Sequence, residues 1–139
     1  MTTQEIQEEI INEFKIFDNL MDKYIHLVKL GKSLPLMDLE FKNEKNLVKG
    51  CQLTTWFRSS FEDGKVFYNV DSSSVIIKGA ISLLKRVLSG QRPKDVISAD
   101  LYFIDRAGLQ EIFSPIRANS LWKIENQMRE YATVCETKT

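Results

Sequence analysis

The dipeptide Asp63-Gly64 limits the fold more than any other feature of this sequence, because it stands between two stretches of strand-forming residues. Residues 53–61 before it are rich in aromatic and β-branched side chains, and apolar residues alternate along 65–70 after it. Asp-Gly is a strong hairpin signal, since glycine tolerates the positive φ that a two-residue turn requires. The pattern predicts antiparallel strands over 53–61 and 65–70. We expect residues 46–48 to add a short third strand, because an isolated hairpin is only marginally stable in water.

Apolar residues before the hairpin recur with the spacing of a helix. They lie three or four positions apart along residues 4–31, which predicts either a pair of antiparallel helices or one bent helix. Asp18 is a candidate N-cap for the second half, and Gly31 is a natural C-terminal end. We expect residues 32–45 to form an irregular, charged connector.

A further helix is expected directly after the hairpin, with Asp71 or Ser72 as its N-cap. Its predicted buried stripe consists of six apolar residues, namely Ile76, Ala80, Leu83, Leu84, Val87 and Leu88. Lys78 would then face solvent, and Gly90 would end the helix.

The rest of the chain also predicts helices. Pro93 suits the first turn of a short helix over 93–98, and residues 101–113 indicate short helical or irregular pieces. The last helix has a stripe at spacings of three and four, made of Leu121, Ile124, Met128, Tyr131 and Cys135. The sequence therefore predicts one α+β domain over 1–139, with a small antiparallel sheet of two or three strands packed against N-terminal and C-terminal helices.

Charge excludes some functions and leaves others open. The 139 residues include 19 basic and 19 acidic side chains, and this balance argues against a nucleic-acid partner. Residues 1–22 nevertheless carry six acidic side chains against one basic, while 78–94 carry five basic and no acidic ones. These segments are either ordinary solvated helix faces or an electrostatic guide for a protein partner.

Hydropathy argues against a membrane protein. The longest apolar runs are only a few residues, far short of the roughly 20 that span a bilayer. The first residues lack the basic start and apolar core of a signal peptide. We therefore expect no membrane association and a cytoplasmic location.

The two cysteines differ in their surroundings. Cys51 follows Gly50 at the entry to a predicted strand, where a loop carried on a sheet can present a reactive group. The competing interpretation is a small buried hydrophobic residue, which describes most free cysteines. Cys135 continues the apolar stripe of the last helix and is interpreted as packing. In a reducing compartment both are expected to be free thiols.

His26 is the only histidine, and it bears on two alternatives. A cysteine hydrolase would need it as a base within hydrogen-bond reach of Cys51. Its place on the flank of an apolar stripe favours a partly exposed structural histidine instead. A zinc site built from His26, Cys51 and Cys135 lacks the usual motif spacing, so no metal site is expected.

Four sequence blocks, in order, resemble the SufE-type cysteine desulfuration proteins, the sulfur-accepting partners of cysteine desulfurases in iron–sulfur cluster assembly. The blocks are residues 27–35 (LVKLGKSLP), 46–56 (NLVKGCQLTTW), 71–72 with 77–79 (DS and IKG), and 114–119 (SPIRAN). The family carries Gly-Cys-Gln with a Trp four residues on, and Ser-Pro-x-Arg-x-Asn. Each block alone is a weak signal, whereas the ordered set is specific.

The resemblance implies a SufE/IscU-like fold and a role for each matching residue. Cys51 would accept a persulfide sulfur from a SufS-like desulfurase, which brings its own pyridoxal phosphate, and would pass it to a SufBCD-like scaffold; the chain itself would need no cofactor. Residues that support the loop or contact the partner would be Gly50, Gln52, Asp71, Ser72, Lys78, Arg117 and Asn119. Helix capping is the first interpretation for Asp71 and Ser72, and a helix-start salt bridge is an equal alternative for Arg117.

Thiol exchange needs a thiolate and access to it, but no acid–base triad. We expect Lys49 and the backbone N–H groups of residues 50–52 to favour the thiolate, and Cys51 to be shielded until a partner docks. The family usually has Gly where this chain has Ser120, and Asp where it has Ser73; we expect neither departure to touch the cysteine motif. Two alternatives remain: an allosteric activator in which Cys51 is only structural, and a hydrolase that uses Cys51 and His26.

Overall fold

The computed structural model describes residues 1–138 as six helices, one β-hairpin and three short 3₁₀ turns. The helices are α1 (Thr3–Lys15), α2 (Leu20–Ser33), α3 (Val75–Leu88), α4 (Pro93–Ser98), α5 (Phe103–Arg106) and α6 (Pro115–Glu136). The strands are β1 (Thr55–Glu62) and β2 (Lys65–Ser72). The 3₁₀ turns are Leu39–Phe41, Glu44–Asn46 and Gln110–Ile112. This arrangement confirms the predicted α+β fold.

The hairpin forms where the Asp-Gly signal predicted it. Strands β1 and β2 pair antiparallel from Thr55 opposite Ser72 to Glu62 opposite Lys65. Asp63 and Gly64 take φ values of 51° and 75°, the conformation that a two-residue turn matching the strand twist requires. The expected third strand is reduced to one bridge between Leu47 and Trp56.

Helices α1 and α2 form the expected antiparallel pair, but with different ends. Asn19 caps α2 through its side chain, in place of Asp18. The helix continues through Gly31 to Ser33, so the prediction that Gly31 ends it was wrong. Gly31 is needed inside the helix, because a Cβ there would collide with the Val75 carbonyl oxygen of α3.

Helix α3 lies at the centre of the fold and packs against α1, α2, β2 and α6. Its N-cap is Ser74, whose hydroxyl accepts from the Ile77 N–H. The prediction that Asp71 or Ser72 caps it was wrong, because both residues are still part of β2. The predicted apolar stripe is buried, as are residues on the neighbouring faces of the helix.

The C-terminal half follows the sequence pattern closely. Pro93 occupies the first turn of α4, and the segment after it contains only the short α5 and one 3₁₀ turn. Helix α6 packs against the hairpin and α3 and buries its predicted stripe, except that Tyr131 is only partly buried. The Tyr68 hydroxyl of β2 donates to the Met128 carbonyl of α6 at 2.6 Å, which joins sheet and helix.

The uneven charge of the sequence is partly neutralised inside the fold. Glu13 of the acidic segment accepts from Arg86 of the basic segment at 3.1 Å and lies 2.7 Å from His26 Nε2. These contacts place part of the opposite charges against each other between α1, α2 and α3. Within residues 1–138 no helix is long and apolar enough to cross a membrane.

Candidate functional site

Cys51 lies on the surface loop 49–54, which leads into β1. The backbone before the loop is anchored to the sheet, since the Val48 N–H donates to the Thr55 carbonyl at 2.9 Å. Gly50 has φ of 77°, a left-handed conformation that turns the chain just before Cys51 and is strained for other residues. Gly50 and Gln52 are exposed, whereas the Cys51 side chain is partly buried.

The sulfur of Cys51 faces a small group of oxygen atoms. Cys51 Sγ lies 2.9 Å from the Leu53 carbonyl oxygen and 2.9 Å from Ser120 Oγ, so the thiol can donate to either. Thr55 Oγ1 is 3.8 Å away. Thr55 and Ser120 are fully buried, which places the sulfur at the boundary between solvent and core.

Ser72 supports this loop from β2. Its hydroxyl donates to the Thr54 carbonyl at 3.1 Å and lies 3.2 Å from Thr55 Oγ1. Thr55 Oγ1 in turn donates to the Leu53 carbonyl at 2.9 Å. The end of β2 is therefore connected to the Cys51 loop through two hydroxyl groups.

Asp71 is a buried carboxylate that stabilises the base of the loop. It accepts from the N–H groups of Met37 at 3.1 Å and Ser72 at 2.8 Å, and it pairs with Lys42 at 3.2 Å and Lys78 at 3.6 Å. Burial alone would raise the pKa of the Asp71 carboxyl. The two N–H donors and the two ammonium groups outweigh burial and hold that pKa below its usual value.

Lys78 does not face solvent as the helical pattern predicted. Its side chain is only 15% exposed and is directed at Asp71. The physical reason is the burial of Asp71, whose negative charge needs a compensating cation. Lys78 therefore holds Asp71 at the base of the loop, and the expectation that it faces solvent was wrong.

Arg117 and Asn119 are placed differently from the residues around the loop. The Arg117 guanidinium donates to the Ile112 carbonyl at 2.9 Å and so braces the turn before α6. Asn119 is exposed on α6, directly before the buried Ser120. Among residues 1–138, the hydrogen bonds of Arg117 do not reach the Cys51 loop.

His26 makes its contacts with α1 and the residues that follow it. Its Nε2 pairs with Glu13 at 2.7 Å, and its ring packs against Phe14 and Phe17 at centroid distances of 5.0 and 5.1 Å. The contacts of Cys51 come from other elements, namely its own loop, β1 and α6. The geometry of this histidine therefore gives no support to a Cys–His hydrolase.

The expectation that Ser120 stays clear of the cysteine motif was wrong. Ser120 contacts Cys51 directly, although 69 residues separate the two in sequence. Its spacing held a usable signal, because Ser120 precedes the buried Ile124 and Met128 at successive intervals of four and so falls on the inner face of α6.

Lys123 was also missed at the sequence level. A Cβ on Gly50 would lie 3.2 Å from Lys123 Nζ, so this ammonium group sits over the turn before Cys51. Lys49, the cation expected to assist the thiolate, is exposed. In the part of the chain that the structure describes, no three His, Cys, Asp or Glu side chains are grouped to hold a metal ion.

The fold and the loop together define a small α+β protein that presents one partly shielded thiol beside a sheet. The sequence model of the SufE family, described as an Fe-S metabolism associated domain, matches residues 8–132. The chain therefore belongs to the SufE family, which is associated with Fe–S metabolism. Family membership implies a cysteine desulfurase as its partner.

Two curated relatives illustrate the extent of the match. The chain is 35% identical over 132 residues to SufE-like protein 1 of Arabidopsis thaliana, which is named as chloroplastic/mitochondrial; the match covers 94% of this chain and 36% of that protein. It is 33% identical over 124 residues to an uncharacterized SufE-like protein of Synechocystis, covering 89% of this chain and 78% of the relative. The chain thus spans about a third of the Arabidopsis protein, and the expected cytoplasmic location stays a prediction.

A solved structure shares the fold. The solution structure of a hypothetical protein from Thermus thermophilus superimposes with a TM-score of 0.76 over 95% of this chain and 96% of that one, at 21% sequence identity. At this identity the likeness extends to the fold alone.

Proposed function

We propose that Cys51 is the sulfur acceptor of this SufE-family protein and takes persulfide sulfur from a SufS-like cysteine desulfurase. The observation that carries the proposal is the placement of Cys51 Sγ: on a surface loop, partly buried, and in contact with oxygen atoms of Leu53 and Ser120. The one histidine of the sequence pairs with Glu13 instead. A carrier fits this arrangement, because thiol exchange requires a thiolate and an approach path but no proton relay.

The transfer step is an exchange between two sulfur centres. The Cys51 thiolate attacks the outer sulfur of the desulfurase persulfide and forms a new S–S bond. The S–S bond of the desulfurase breaks, and its cysteine leaves as a thiolate that takes up a proton. The number of disulfide-type bonds is unchanged, so the step needs no oxidant or reductant.

The nearby residues serve this step by holding the loop. Ser72 and Asp71 keep the base of the loop on the sheet, and Gly50 supplies the turn that Cys51 needs. Lys123 brings a positive charge toward the loop, where a thiolate or a persulfide anion would benefit from it. The protein then acts as a stimulating partner of the desulfurase and passes the sulfur to a SufBCD-like scaffold.

The test is sulfur uptake by the intact chain. After incubation with cysteine and a SufS-like desulfurase, mass spectrometry should show one added sulfur atom on the Cys51 peptide. Cys51→Ser should abolish both the adduct and the stimulation of desulfurase turnover, because serine cannot form a persulfide. Cys135→Ser is the matched control and should keep both, since Cys135 is buried on α6.

The outcomes distinguish the alternatives. An adduct on Cys135 instead of Cys51, or no adduct on either, would contradict the proposal. Stimulation that survives Cys51→Ser would identify an allosteric activator whose loop cysteine is only structural. Loss of the stimulation of desulfurase turnover in His26→Ala, with the sulfur adduct on Cys51 intact, would favour the alternative of a hydrolase that uses Cys51 and His26.

A further inference from the structure

Ser120 differs from three other hydroxyl groups on the helices of this chain. The hydroxyls of Ser33, Ser98 and Thr133 each donate to the backbone carbonyl four residues earlier, at 2.9 to 3.0 Å. This local bond is the usual partner of a serine or threonine within a helix. Ser120 makes a contact across the fold instead, to Cys51 Sγ at 2.9 Å.

The burial of Ser120 makes this contact energetically important. Its side chain has 0% exposure, so water does not compete for the hydroxyl. A buried hydroxyl without a partner is costly, and within residues 1–138 the polar partner of Ser120 Oγ is Cys51 Sγ. The thiol therefore supplies the hydrogen bond that the buried Ser120 oxygen accepts, and movement of Cys51 away from α6 would remove this contact.

A serine hydroxyl also suits a sulfur atom that changes its protonation state. It accepts a hydrogen bond from a thiol and, by rotating its hydrogen, donates one to a thiolate. Cys51 Sγ also remains the inner sulfur once a persulfide has formed on it. The same contact can thus be kept through each form of Cys51.

We propose that Ser120 is a positioning residue that latches the Cys51 sulfur in its inward, partly buried position. The role of the latch in transfer rests on the proposed function of Cys51 as a sulfur acceptor. The latch itself is a property of the free protein and is tested without a desulfurase.

The first experiment compares thiol labelling by a small and a bulky reagent in the free protein. Iodoacetamide and a maleimide carrying a large fluorophore both react with the thiolate, so the ratio of the bulky to the small rate constant reports access rather than nucleophilicity. Ser120→Ala should raise this ratio at Cys51 by about two- to tenfold, the shift in an equilibrium that loss of one neutral hydrogen bond produces. Alanine is favourable in a helix, so α6 should be retained.

Two controls separate the latch from a loosened fold. Thr133→Ala removes a hydroxyl from the same helix, and it should leave the ratio at Cys51 unchanged because Thr133 bonds only locally to Arg129. Cys135 is an internal control in every sample, since it is 2% exposed on α6 and should stay slow to label. A ratio at Cys51 that equals the wild-type value in Ser120→Ala, with Cys135 still protected, would overturn the proposal.

A second variant covers the case in which removal of the hydroxyl unfolds the chain. Ser120→Cys places a thiol where the oxygen lies 2.9 Å from Cys51 Sγ, and mild oxidation should then join the two in a disulfide. Failure to form this disulfide in the folded protein would show that the two side chains do not face each other, and would also overturn the latch.

A third experiment, on protein loaded with sulfur, shows which of the two proposals fails. Wild-type protein and Ser120→Ala are both loaded with sulfur by the desulfurase and then treated with a phosphine reductant, which removes the outer sulfur. The rate of removal should be higher in Ser120→Ala than in the wild type, by about the same factor by which the labelling ratio rises. If the wild type takes up no sulfur while the labelling ratio responds as expected, the acceptor proposal fails and the latch stands. If the wild type takes up sulfur but labelling and reduction are unaffected in the variant, the latch fails and the acceptor stands.

Discussion

Asp71 shows how a buried charge can organise a site that it does not touch. Its carboxylate is 1% exposed, yet two N–H donors and two lysines surround it. The donors come from the connector before the hairpin and from β2, so one side chain joins two segments beneath the Cys51 loop. A buried charge held in this way contributes to stability only as long as it is ionised.

Asp71→Asn tests that contribution. The folded-state pKa of Asp71 lies below its unfolded value of about 3.9, so the stabilisation is complete above about pH 4 and is lost as pH falls through the folded-state pKa. At pH 7 the variant should lose about 2 kcal/mol of unfolding free energy, and the gap to the wild type should narrow below pH 4. Urea titrations at a series of pH values measure both effects.

The matched control for this prediction is Asp38→Asn, because Asp38 is an exposed carboxylate in the same connector. It should change stability by less than about 0.5 kcal/mol at pH 7. A difference between Asp71→Asn and the wild type that stays constant from pH 7 to pH 2.5 would show that the ionised form of Asp71 is not the stabilising one.

At the scale of residues, the sequence identified Cys51, Gly50, Asp71 and Ser72 as a group through their motif blocks. It assigned helix-capping roles to the last two, because a cap and a buried strand end look alike when tertiary contacts are unknown. The contact between Ser120 and Cys51 was out of reach for a related reason: periodicity reports that Ser120 lies on the inner face of α6, but not that its partner is 69 positions away.

At the scale of elements, the crossing of α2 and α3 depends on two glycines. A Cβ at Gly31 would collide with the Val75 carbonyl oxygen, and one at Gly79 with the Leu27 carbonyl oxygen. The two helix backbones therefore approach each other more closely than side chains would permit. The crossing places α3 where it can support the base of the hairpin.

Gly31→Ala and Gly79→Ala should each destabilise the protein. Intrinsic helix propensity favours alanine by about 1 kcal/mol, whereas forcing an atom into a closed contact costs about 1–3 kcal/mol or more. Since the collision is with backbone, which cannot rotate away, the steric cost should exceed the gain. A lower thermal midpoint for both variants, measured by circular dichroism, is the expected result.

Lys32→Ala is the control for the glycine variants, because Lys32 is exposed in the last turn of α2 next to Gly31. It should leave the midpoint nearly unchanged. If either glycine variant proves as stable as Lys32→Ala, the helices have room to separate and the close crossing is not required.

The same glycines explain an error in the predicted element boundaries. In sequence, Gly31 followed by Pro35 is typical of a helix C-terminus, and that interpretation is reasonable on local grounds. The structure uses the glycine for close packing instead, which no local rule separates from a C-terminal signal. The hairpin and α4 were predicted more accurately, because a turn and an N-terminal proline are encoded by neighbouring residues.

At the scale of the whole molecule, Gln7 joins the first helix to the middle of the chain. Its side chain is 1% exposed; it donates to the Asp100 carbonyl at 2.9 Å and accepts from the N–H groups of Tyr102 and Phe103. On the other side, Arg129 of α6 donates to the carbonyls at the end of α4. The irregular segment between α4 and α5 is thus held from both ends of the chain.

Gln7→Ala should cost about 2 kcal/mol or more of unfolding free energy, because it leaves backbone groups near Asp100 and Tyr102 without a partner in a partly buried region. Gln4→Ala, an exposed position on the same helix, is the comparison and should be close to neutral. Urea midpoints of the two variants measure the difference. Equal midpoints would mean that water replaces the Gln7 contacts without penalty.

The overall architecture was accessible from the sequence because three kinds of local pattern agreed: the helical stripes, the Asp-Gly turn and the motif order. Contacts such as those of Gln7 and Arg129 were not accessible. In these contacts a polar side chain binds backbone N–H or carbonyl groups. Every residue type carries such groups, so the sequence does not reveal which of them will be bound.

The contact between Cys51 and Ser120 has a consequence for the order of events during protein synthesis. At about 5–20 residues per second, Cys51 is made roughly 3–14 s before the residue that covers it. Throughout that interval the contact between the thiol and Ser120 cannot form, whether or not the hairpin has already folded. The contact that covers the Cys51 sulfur can therefore form only after the start of α6 has been made and packs against the loop.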